Sequence, residues 1–589
     1  MLVRIWKLLD PAERRQLLLL TPLVLLSAGF ELVGVSAVIP FVTLLADPDA
    51  VSTLPIVGGW VEASGIEDTV TLLRFAGFGL AFAVLAANAM VMLTRYRQYR
   101  FAANLNYTMS TRLLGHYLSQ PYAFTLTRNS ASLTNAVQGQ VGRVTGGIGT
   151  AIGLMTASVS TIAILTFLIA LDPRLALTSF GVLGALYGLI FLASRRFLTR
   201  TSRELVRIGT ARYKAVNEAM GGFKDLKVAA REREALRHFQ RPARRQADIT
   251  AVVNAVKGLP RYALEAIAIG GMVVVASLMA GRDGTFTATL PLLGAYVYGA
   301  LRLLPAMQTL FAGLASLRSI VGAVEVLEAD LAEARETADL LATPPDPIPF
   351  ERTITLRGVE YRYPTGAEVA LHAIDLHLTK GRSLAIVGRT GSGKTTLVNV
   401  LLGLLEPSAG GIEVDGTTID AGTRRAYRRL FGYVPQDIFL ADDTIRRNVA
   451  LGIPDDEIDD DAVHRACQQA QVDDFVETEL PDGYLTVVGE RGVRLSGGQR
   501  QRIGIARALY HQPPVLVFDE ATSALDVHTE RHVFEALEVI ARERTLVMIA
   551  HRLETVAKAD HVVVLEGGRV TDAGAAKDVL ARYRRVGVA

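Results

Sequence analysis

The stretch Leu495-Ser496-Gly497-Gly498-Gln499-Arg500, taken together with an earlier glycine-rich one, decides the fold of the second half of this chain. The earlier stretch, Gly388-Arg389-Thr390-Gly391-Ser392-Gly393-Lys394-Thr395, follows the apolar run Leu384-Ala385-Ile386-Val387, which predicts a buried strand. Its glycines allow backbone N–H groups to curl around phosphate oxygens, and the next helix directs its positive end at them. Lys394 would place a charge on the β- and γ-phosphates, and the Thr395 hydroxyl would ligate Mg²⁺.

Two acidic residues end another apolar run, Val515-Leu516-Val517-Phe518. Asp519 is placed to hold Mg²⁺ through water, and Glu520 is the better candidate to polarise an attacking water molecule. The 495–500 stretch, just before this run, offers a serine hydroxyl and backbone N–H groups ahead of a helix, which is a second place for an anion. These patterns predict a domain that binds and hydrolyses a nucleotide.

The composition indicates a multidomain protein that is partly embedded in a membrane. At 589 residues the chain is longer than one hydrophobic core usually serves. Charged residues make up 21% of it and the mean hydropathy is +0.29, which is apolar for a soluble protein. The net charge of +3 is too small to indicate a nucleic-acid partner. The one cysteine, Cys467, excludes an internal disulfide framework, and we expect it to be structural.

A proline-rich segment, Thr343-Pro344-Pro345-Asp346-Pro347-Ile348-Pro349, separates two halves of different character. Its four prolines cannot continue a helix or join the interior of a sheet. We therefore predict an α-helical membrane domain over residues 1–330, a linker over 331–349 and an α/β P-loop domain over 350–589.

Long apolar runs in the first half predict six membrane-spanning helices. Three runs contain no charged residue, and each meets the roughly 20 residues needed to cross a bilayer. The first run is too long for the apolar core of a signal peptide, so we expect it to be retained. The predicted spans are Leu17–Ala46, Phe75–Thr94, Val144–Leu171, Leu175–Ser194, about Leu259–Gly281, and Thr285–Leu317.

The distribution of Lys and Arg predicts the orientation of these spans. The segment between spans one and two contains five acids and no Lys or Arg, whereas the segments after spans two and four are rich in arginine. We therefore expect the N-terminus and these arginine-rich segments in the cytoplasm. The apolar patch within Val51–Asp68 predicts either a short interfacial helix or an ordinary packed loop.

Spans two and four run into sequence that stays compatible with a helix to about Gln120 and about Met220. Such extended helices would carry two short turns well below the membrane, near Pro121–Ser132 and Gly221–Val228. The charges along them are expected to be solvated helix faces.

The second half resembles the ATPase domain of ABC transporters along its whole length, with the family's motifs in the expected order. The resemblance implies ATP and Mg²⁺ as ligands, and it implies that the two turns of the membrane domain dock onto the ATPase. The segment Gly489–Gly492 matches a short motif found before the signature in exporters. The implied catalytic residues are Lys394, Glu520 and His551, and the implied metal ligands are Thr395, Gln436 and Asp519. The further implied nucleotide contacts are Tyr363 on adenine, Gly388, Arg389, Thr390, Gly391, Ser392, Gly393, Thr396, the signature residues Ser496, Gly497, Gly498 and Gln499, and Asp526.

In this family the signature loop caps the γ-phosphate bound by the opposite subunit. A chain with one ATPase domain and one six-span domain therefore implies a homodimer with two equivalent sites. Binding and hydrolysis would close and open the ATPase domains and drive alternating access across the membrane.

The first half resembles the six-helix domain of type IV ABC exporters, and most of all the PglK-type flippases of lipid-linked oligosaccharides. This resemblance rests on Glu31 with Ile39-Pro40-Phe41, on Leu259-Pro260-Arg261-Tyr262-Ala263-Leu264-Glu265, and on Leu301-Arg302-Leu303-Leu304-Pro305. It implies a lipid substrate and the inner membrane of a bacterium.

Charged residues inside the spans are the candidate substrate contacts, because an ionised side chain there usually faces a wet interior or a partner. Arg302, with Arg261 and Arg95, would line a cavity that attracts an anionic head group such as a lipid pyrophosphate. Alternatively, Arg302 pairs with Glu31 or Glu265 and holds the spans together. Both interpretations stay open at this point.

Three functions follow from these patterns. The first is a flippase of lipid-linked oligosaccharides, and the second is a general exporter of lipids or hydrophobic drugs with the same fold and ATP chemistry. The third is a soluble or regulatory ABC ATPase that acts on nucleic acid or ribosomes, which the six predicted spans argue against.

Overall fold

A computed structural model describes residues 2–46, 68–128, 130–171, 211–279, 285–320, 345–364, 368–519, 544–549 and 556–585, with single positions and runs of two or three residues elsewhere. The chain divides into two compact units. Unit 1 comprises Met1–Ser119 and Ala131–Asp339, and unit 2 comprises Gln120–Ser130 and Leu340–Ala589. The predicted Pro121–Ser132 turn therefore falls largely in the second unit.

Unit 1 is helical throughout its described residues. Its described α-helices, given together with the short α5 of unit 2, are α1 (Leu2–Leu8), α2 (Pro11–Ser36), α3 (Val38–Ala46), α4 (Thr69–Ser119), α5 (Tyr122–Thr127), α6 (Ser130–Asn135), α7 (Val141–Leu171), α8 (Phe223–Val228), α9 (Glu232–Met279) and α10 (Thr285–Ser319), and a π-helical turn, Ala136–Gln140, joins α6 to α7.

Among the described residues, three helical stretches are long and apolar enough to cross a membrane: Pro11–Leu45, which joins α2 and α3, Thr69–Ser119, which is α4, and Leu133–Leu171, which joins α6 and α7. They contain predicted spans two and three and nearly all of span one. Spans five and six fall on α9 and α10, up to Met279 in the case of span five. Span four, Leu175–Ser194, lies largely outside the described residues.

The first span differs from the prediction, because it is two helices that meet at Ala37 rather than one. Pro40, in the first turn of α3, lacks the backbone N–H that would bond to the carbonyl of Ser36. The Ala37 N–H instead closes α2 by donating to the Val33 carbonyl at 2.9 Å. The predicted continuous run is therefore divided at Ala37, three residues before the proline that belongs to the flippase resemblance.

Helix α4, which contains span two and its cytoplasmic extension, is much longer than a bilayer requires. Helix α4 contains 51 residues, which corresponds to about 77 Å at 1.5 Å per residue, against a hydrocarbon core of about 30 Å. The helix ends at Ser119, close to the predicted Gln120, and the short helix α5 follows it. Helix α5 belongs to unit 2, and its Ala123 packs against one of the two hydrophobic cores of that unit.

Unit 2 is built on two sheets. A four-stranded antiparallel sheet has the order β2-β1-β4-β5, and a six-stranded sheet has the order β10-β9-β3-β8-β7-β6, in which all neighbours are parallel except β9 and β10. The strands are β1 (Thr353–Arg362), β2 (Val369–Thr379), β3 (Ser383–Val387), β4 (Ala409–Val414), β5 (Thr417–Thr418), β6 (Phe431–Val434), β7 (Val515–Asp519), β8 (Thr545–Ile549), β9 (His561–Glu566) and β10 (Arg569–Ala575).

Unit 2 also contains seven described α-helices after α5. They are α11 (Lys394–Leu401), α12 (Arg424–Arg428), α13 (Ile445–Val449), α14 (Asp460–Gln469), α15 (Asp473–Glu479), α16 (Gly497–Leu509) and α17 (Ala576–Arg585).

The central strands are buried on both faces, as their continuous apolar runs predict. In β3, Leu384 and Ile386 belong to one hydrophobic core, whereas Ala385 and Val387 belong to the other. Strand β8 lies between β3 and β7, and all three run parallel. The carboxyl ends of β3 and β7 therefore meet at one edge of the sheet, which brings the 388–395 loop near Asp519.

Candidate functional site

The loop between β3 and α11 has the backbone that a phosphate cradle needs. Gly391 and Gly393 have φ angles of 83° and 101°, a region that favours glycine. At Gly388 an added Cβ would lie only 2.3 Å from the carbonyl oxygen of Leu565, so only glycine fits there. Helix α11 begins at Lys394 and directs its amino end into the loop.

The side chains of this loop fit a bound anion. The Lys394 ammonium is buried and donates to the carbonyl oxygens of Gly388, at 2.8 Å, and Arg389, at 3.1 Å, so it is held across the cradle. The buried Ser392 hydroxyl has no hydrogen-bond partner among the described residues. Buried hydroxyls are rarely left unsatisfied, and a phosphate oxygen would supply the missing partner. Thr395 is exposed at the start of α11, where a metal ligand would lie.

Tyr363 lies beside the loop and is half-buried. Its hydroxyl shares a 2.9 Å hydrogen bond with Thr396, and its ring packs edge-on against Tyr361 at 5.0 Å. The hydrogen bond ties the aromatic side chain to helix α11. The ring is thus held close to the phosphate loop, where the resemblance expects an adenine contact.

Asp519 ends β7 and is buried. Its carboxylate accepts a 3.2 Å hydrogen bond from the hydroxyl of Tyr433, on the neighbouring strand β6. Burial, and then the Asp519 carboxylate, raise the pKa of Tyr433, so this hydroxyl stays protonated and can donate. Gln436 follows β6 and is exposed. The two predicted metal ligands therefore stand at the ends of paired strands.

The signature stretch forms the first turn of α16 and caps itself. The Ser496 hydroxyl accepts from the Gln499 N–H at 3.2 Å, while the Gln499 side chain accepts from the Ser496 N–H at 2.7 Å. This capping box fixes the helix start, and Ser496 and Gly497 remain exposed while Gly498 is buried. The cap gives Gln499 a local structural role in addition to the nucleotide contact predicted for it.

Helix α16 is tied to the segment that follows Gln436 by one arginine. The Arg507 guanidinium donates to the carbonyl oxygens of Asn448, at 2.8 Å, and Phe439, at 2.7 Å. Burial lowers the pKa of Arg507 to about 10, which leaves it charged at neutral pH. The signature helix and the 436–439 segment are thus linked within one unit.

Three predicted residues, Glu520, Asp526 and His551, lie outside the described residues. The catalytic roles implied for Glu520 and His551 and the nucleotide contact implied for Asp526 remain predictions. Cys467 is a buried free thiol whose pKa burial raises to about 12, which fits the expected structural role.

Unit 1 contains a cavity of about 1000 Å³ between helices α2, α4, α7 and α10. It brings together three of the four predicted substrate residues, Glu31, Arg95 and Arg302. The side chain of the fourth, Arg261, lies outside the described residues. Hydroxyl and amide side chains share the lining with small and apolar ones, among them Ser27, Asn88, Gln98, Thr150, Thr156, Ser160, Val84, Val91 and Leu301.

Arg302 lies in this cavity with most of its surface covered. Its guanidinium donates to the Tyr298 hydroxyl at 3.0 and 3.3 Å and to the Asn88 side-chain oxygen at 3.2 Å, and it lies 5.5 Å from the centre of the Tyr298 ring. The nearest Glu31 oxygen is 4.0 Å away, at the outer limit of an ion pair. Arg302 therefore lines a cavity and also lies near Glu31, as the two interpretations predicted. Its closest contacts, however, are made to the neutral side chains of Tyr298 and Asn88.

The sequence did not single out three polar partners at these sites, Asn88, Tyr298 and Tyr433. Asn88 carried a signal, since it is a strongly polar side chain within the otherwise apolar second span. Tyr298 and Tyr433 carried none, because a tyrosine is common both in a membrane helix and in a buried strand.

Two family models match the chain. One, described as ABC transporter, covers residues 371–523, and the other, described as ABC transporter transmembrane region, covers residues 52–280. These ranges include the phosphate loop, the signature and much of unit 1.

Curated relatives match both halves of the chain together. The ATP-dependent lipid A-core flippase of Ralstonia nicotianae is 36% identical over 491 residues, which cover 81% of this chain and 80% of that protein. The protein of the same name from Thiobacillus denitrificans is 35% identical over 436 residues, with coverages of 73% and 74%. A solved structure, that of a bacterial Atm1-family ABC exporter with ATP bound, superposes with a TM-score of 0.73 at 25% identity, covering 98% of this chain and all of that one.

Proposed function

Because this chain belongs to the ABC transporter family, as a half-transporter with one transmembrane region and one ATPase domain, we propose that two copies of it flip an amphipathic lipid with an anionic, phosphate-bearing head group. ATP-driven transport is the activity of the family. The homodimer, the substrate class and the residue roles given below are the proposal.

The cavity around Arg302 is the observation that carries this proposal. Two arginines and one glutamate among its lining residues leave an excess of positive charge inside a membrane-spanning unit. Charge at this depth is costly unless it has a use or a partner. The distance of 4.0 Å to Glu31 leaves the guanidinium free of a tight ion pair, while Tyr298 and Asn88 hold it in place. A planar guanidinium in this setting suits a phosphate oxygen.

Two lipid classes share this head-group chemistry. The residues that resemble PglK-type flippases support a lipid-linked oligosaccharide with a pyrophosphate. The name carried by the relatives from Ralstonia and Thiobacillus supports a phosphorylated glycolipid of the lipid A type. Both present phosphate beside sugars and long acyl or prenyl chains, so a cavity with fixed arginines and many hydroxyl groups suits either.

In the ATPase domain we assign the nucleotide to the 388–395 loop and Tyr363. Lys394 would move from its carbonyl partners onto the phosphates, and Ser392 would satisfy its buried hydroxyl there. Thr395, Gln436 and Asp519 would hold Mg²⁺, which supplies charge neutralisation at the phosphates. Glu520 would orient the attacking water, and His551 would contact the γ-phosphate.

The distribution of arginine supports an orientation with the N-terminus and the ATPase domain in the cytoplasm. The bacterial relatives support placement in the inner membrane. Transport would then begin from a lipid that enters the cavity from the cytoplasmic leaflet.

The proposal is tested by reconstituting the protein in proteoliposomes and measuring ATP-dependent translocation of lipid-linked pyrophosphate oligosaccharide and of phosphorylated glycolipid, each in a separate arm. We expect Arg302→Ala to abolish flipping of the accepted lipid while basal ATPase activity stays largely intact. Arg302→Lys keeps a charge but loses the planar fork, and should retain partial activity. Arg97→Ala removes an exposed arginine near Arg95 and should behave as wild type.

Normal flipping by the Arg302→Ala variant would remove the head-group role. Stimulation of its ATPase by uncharged hydrophobic drugs as strong as in wild type would favour a general exporter instead. A wild-type protein that flips neither lipid in the presence of ATP would refute the substrate class.

A further inference from the structure

A cluster of metal-ligating side chains lies in unit 2 on two short helices. His464 is on α14, while Asp473 and Glu477 are on α15. Asp473 and Glu477 are four residues apart, so they share one face of their helix. The helices are joined by a tight turn in which Gln471 has a φ of 54°, and the Val472 N–H donates to the Cys467 carbonyl at 2.9 Å. This turn folds the carboxylate face of α15 back toward His464.

The spacing within the cluster suits a metal ion better than it suits hydrogen bonds. The Nδ1 atom of His464 is 3.7 Å from the nearest Asp473 oxygen and 3.5 Å from the nearest Glu477 oxygen. Hydrogen bonds to a ring nitrogen are usually about 2.7–3.2 Å long. Ligands bound at about 2.0–2.1 Å in a tetrahedron around zinc lie about 3.4 Å apart. All three ligand atoms lie within 4.8 Å of one another.

A second set of contacts holds the cluster in this geometry. The Tyr484 hydroxyl donates to the Asp473 carboxylate, and the Gln468 amide donates to its other oxygen at 3.4 Å. The Tyr484 ring also packs against the His464 ring, with centroids 4.3 Å apart. Outer partners of this kind orient the ligands of protein metal sites. Asp473 and His464 are thus fixed before any ion binds.

We propose that His464, Asp473 and Glu477 form a binding site for a divalent transition ion of the Zn²⁺ class. One imidazole with two carboxylates suits such an ion, and three protein ligands leave a position for water. Glu477 is exposed and His464 is partly so, which gives an ion from solution access to the site. Cys467 is buried, and its sulfur is not among the three ligand atoms that lie within 4.8 Å of one another.

Binding at this site would brace the helices that support the signature helix. The Arg502 guanidinium of α16 donates to the Gln471 carbonyl, in the turn between α14 and α15, at 2.6 Å. An ion that ties α14 to α15 fixes this turn. The site is therefore placed to alter the rigidity of the α14–α16 region from outside the nucleotide site.

The test uses the full-length protein without a polyhistidine tag, in detergent and without nucleotide, with excess Mg²⁺ to occupy hard carboxylate sites. Zn²⁺ binding is measured by equilibrium dialysis, and Co²⁺ is used as a spectroscopic substitute. We expect one Zn²⁺ per chain whose affinity falls at least ~10-fold in His464→Gln and in Glu477→Gln, and about 10-fold in Tyr484→Phe, a positioning residue. The Co²⁺ spectrum should show nitrogen and oxygen ligation with no sulfur charge-transfer band.

Glu479→Gln is the matched control, because it makes the same change two residues further along α15, outside the cluster. It should bind Zn²⁺ as wild type does. Melting temperatures and ATPase activities of the metal-free variants establish that each is folded. Equal Zn²⁺ binding by wild type, His464→Gln and Glu477→Gln, or a loss of affinity in Glu479→Gln equal to that in Glu477→Gln, would overturn the proposal, as would a sulfur band in the Co²⁺ spectrum.

Discussion

Arg302 shows how a charged residue can be kept inside a membrane-spanning unit without a tight counter-ion. Three hydrogen bonds to neutral oxygens and the face of the Tyr298 ring share its positive charge. These contacts leave the group polar and ready to exchange a neutral partner for an anion. A direct ion pair with Glu31 would have been harder to open, because breaking a buried pair leaves two charges uncompensated.

Tyr433 is a residue whose role can be separated from its packing. Its hydroxyl donates to Asp519, a proposed Mg²⁺ ligand, while its ring packs in the core of unit 2. We expect Tyr433→Phe to keep the fold but to raise the Mg²⁺ concentration needed for half-maximal ATPase activity several-fold, since a lost outer partner typically costs 10–100-fold in metal affinity or activity at a dedicated site. Steady-state ATPase rates across a Mg²⁺ titration measure this.

The control for that experiment is Tyr427→Phe, which makes the same change in the same domain. The Tyr427 hydroxyl donates to the carbonyl of Leu401 and is buried. Loss of this hydroxyl should lower the free energy of unfolding by about 1–3 kcal/mol. It should leave the Mg²⁺ dependence of the ATPase activity unchanged. An unaltered Mg²⁺ requirement in Tyr433→Phe would show that the Asp519 contact does not serve metal binding.

At the level of elements, the apolar runs in the sequence correctly predicted the buried central strands of the sheet. The runs before Gly388 and Asp519 are apolar at every position, because β3 and β7 are buried on both faces. The interruption of the first span at Ala37 was missed, although Pro40 was noted, because a proline in a membrane helix can bend it, end it or leave it intact. Which of these happens depends on neighbouring helices and so lies beyond the sequence of the span itself.

Asp415, in the turn between β4 and β5, holds the start of β1 by hydrogen bonds, and these contacts predict that stability falls in acid. Its carboxylate accepts from the backbone N–H groups of Glu351, Arg352 and Thr353 at 2.6–2.8 Å. Burial raises its pKa, but these hydrogen bonds outweigh it and lower the pKa below the ordinary 3.8. A lowered carboxylate pKa means that the stabilisation is complete above pH 3.8 and is lost as the pH falls through the lower, folded-state value.

Asp415→Asn tests this, because asparagine tolerates the left-handed backbone found there, with φ at 50°, while it removes the charge and one of the two accepting oxygens. We expect a loss of about 1–2 kcal/mol at neutral pH, the size of charge-assisted hydrogen bonds, and a difference from wild type that shrinks as the pH drops below 4. Thermal unfolding of the full chain across pH measures it, with the exposed Asp456→Asn as the control. A difference that grows in acid would contradict the assignment.

For the whole molecule, the sequence located the described parts of the proposed nucleotide site, whereas it located the cavity only in part. The phosphate loop, Asp519 and Ser496 each sit in a short motif whose residues are neighbours in sequence. The cavity instead joins helices that are distant in sequence, and the contact between Arg302 and Asn88 spans 214 positions. Charge within a span identified Arg302, but its partners required knowledge of which helices touch.

The proposed homodimer makes its own prediction, because each ATP site would combine the phosphate loop of one copy with the signature of the other. Lys394→Ala disables a phosphate loop, and Ser496→Arg places a bulky charge at the exposed signature serine at a cost of about 1 kcal/mol for the lost cap. When one copy carries Lys394→Ala and the other Ser496→Arg, both changes fall in the same site, and one intact site remains.

When one copy carries both changes and its partner is wild type, each site receives one change, so no intact site remains. We therefore expect the first mixed dimer to retain measurable ATPase activity and the second to lose it. Two differently tagged copies, purified in sequence and assayed for ATP hydrolysis, provide the comparison. Sites contained within single chains would give the reverse order, with activity surviving only where one copy is fully wild type, and that result would exclude the shared-site dimer.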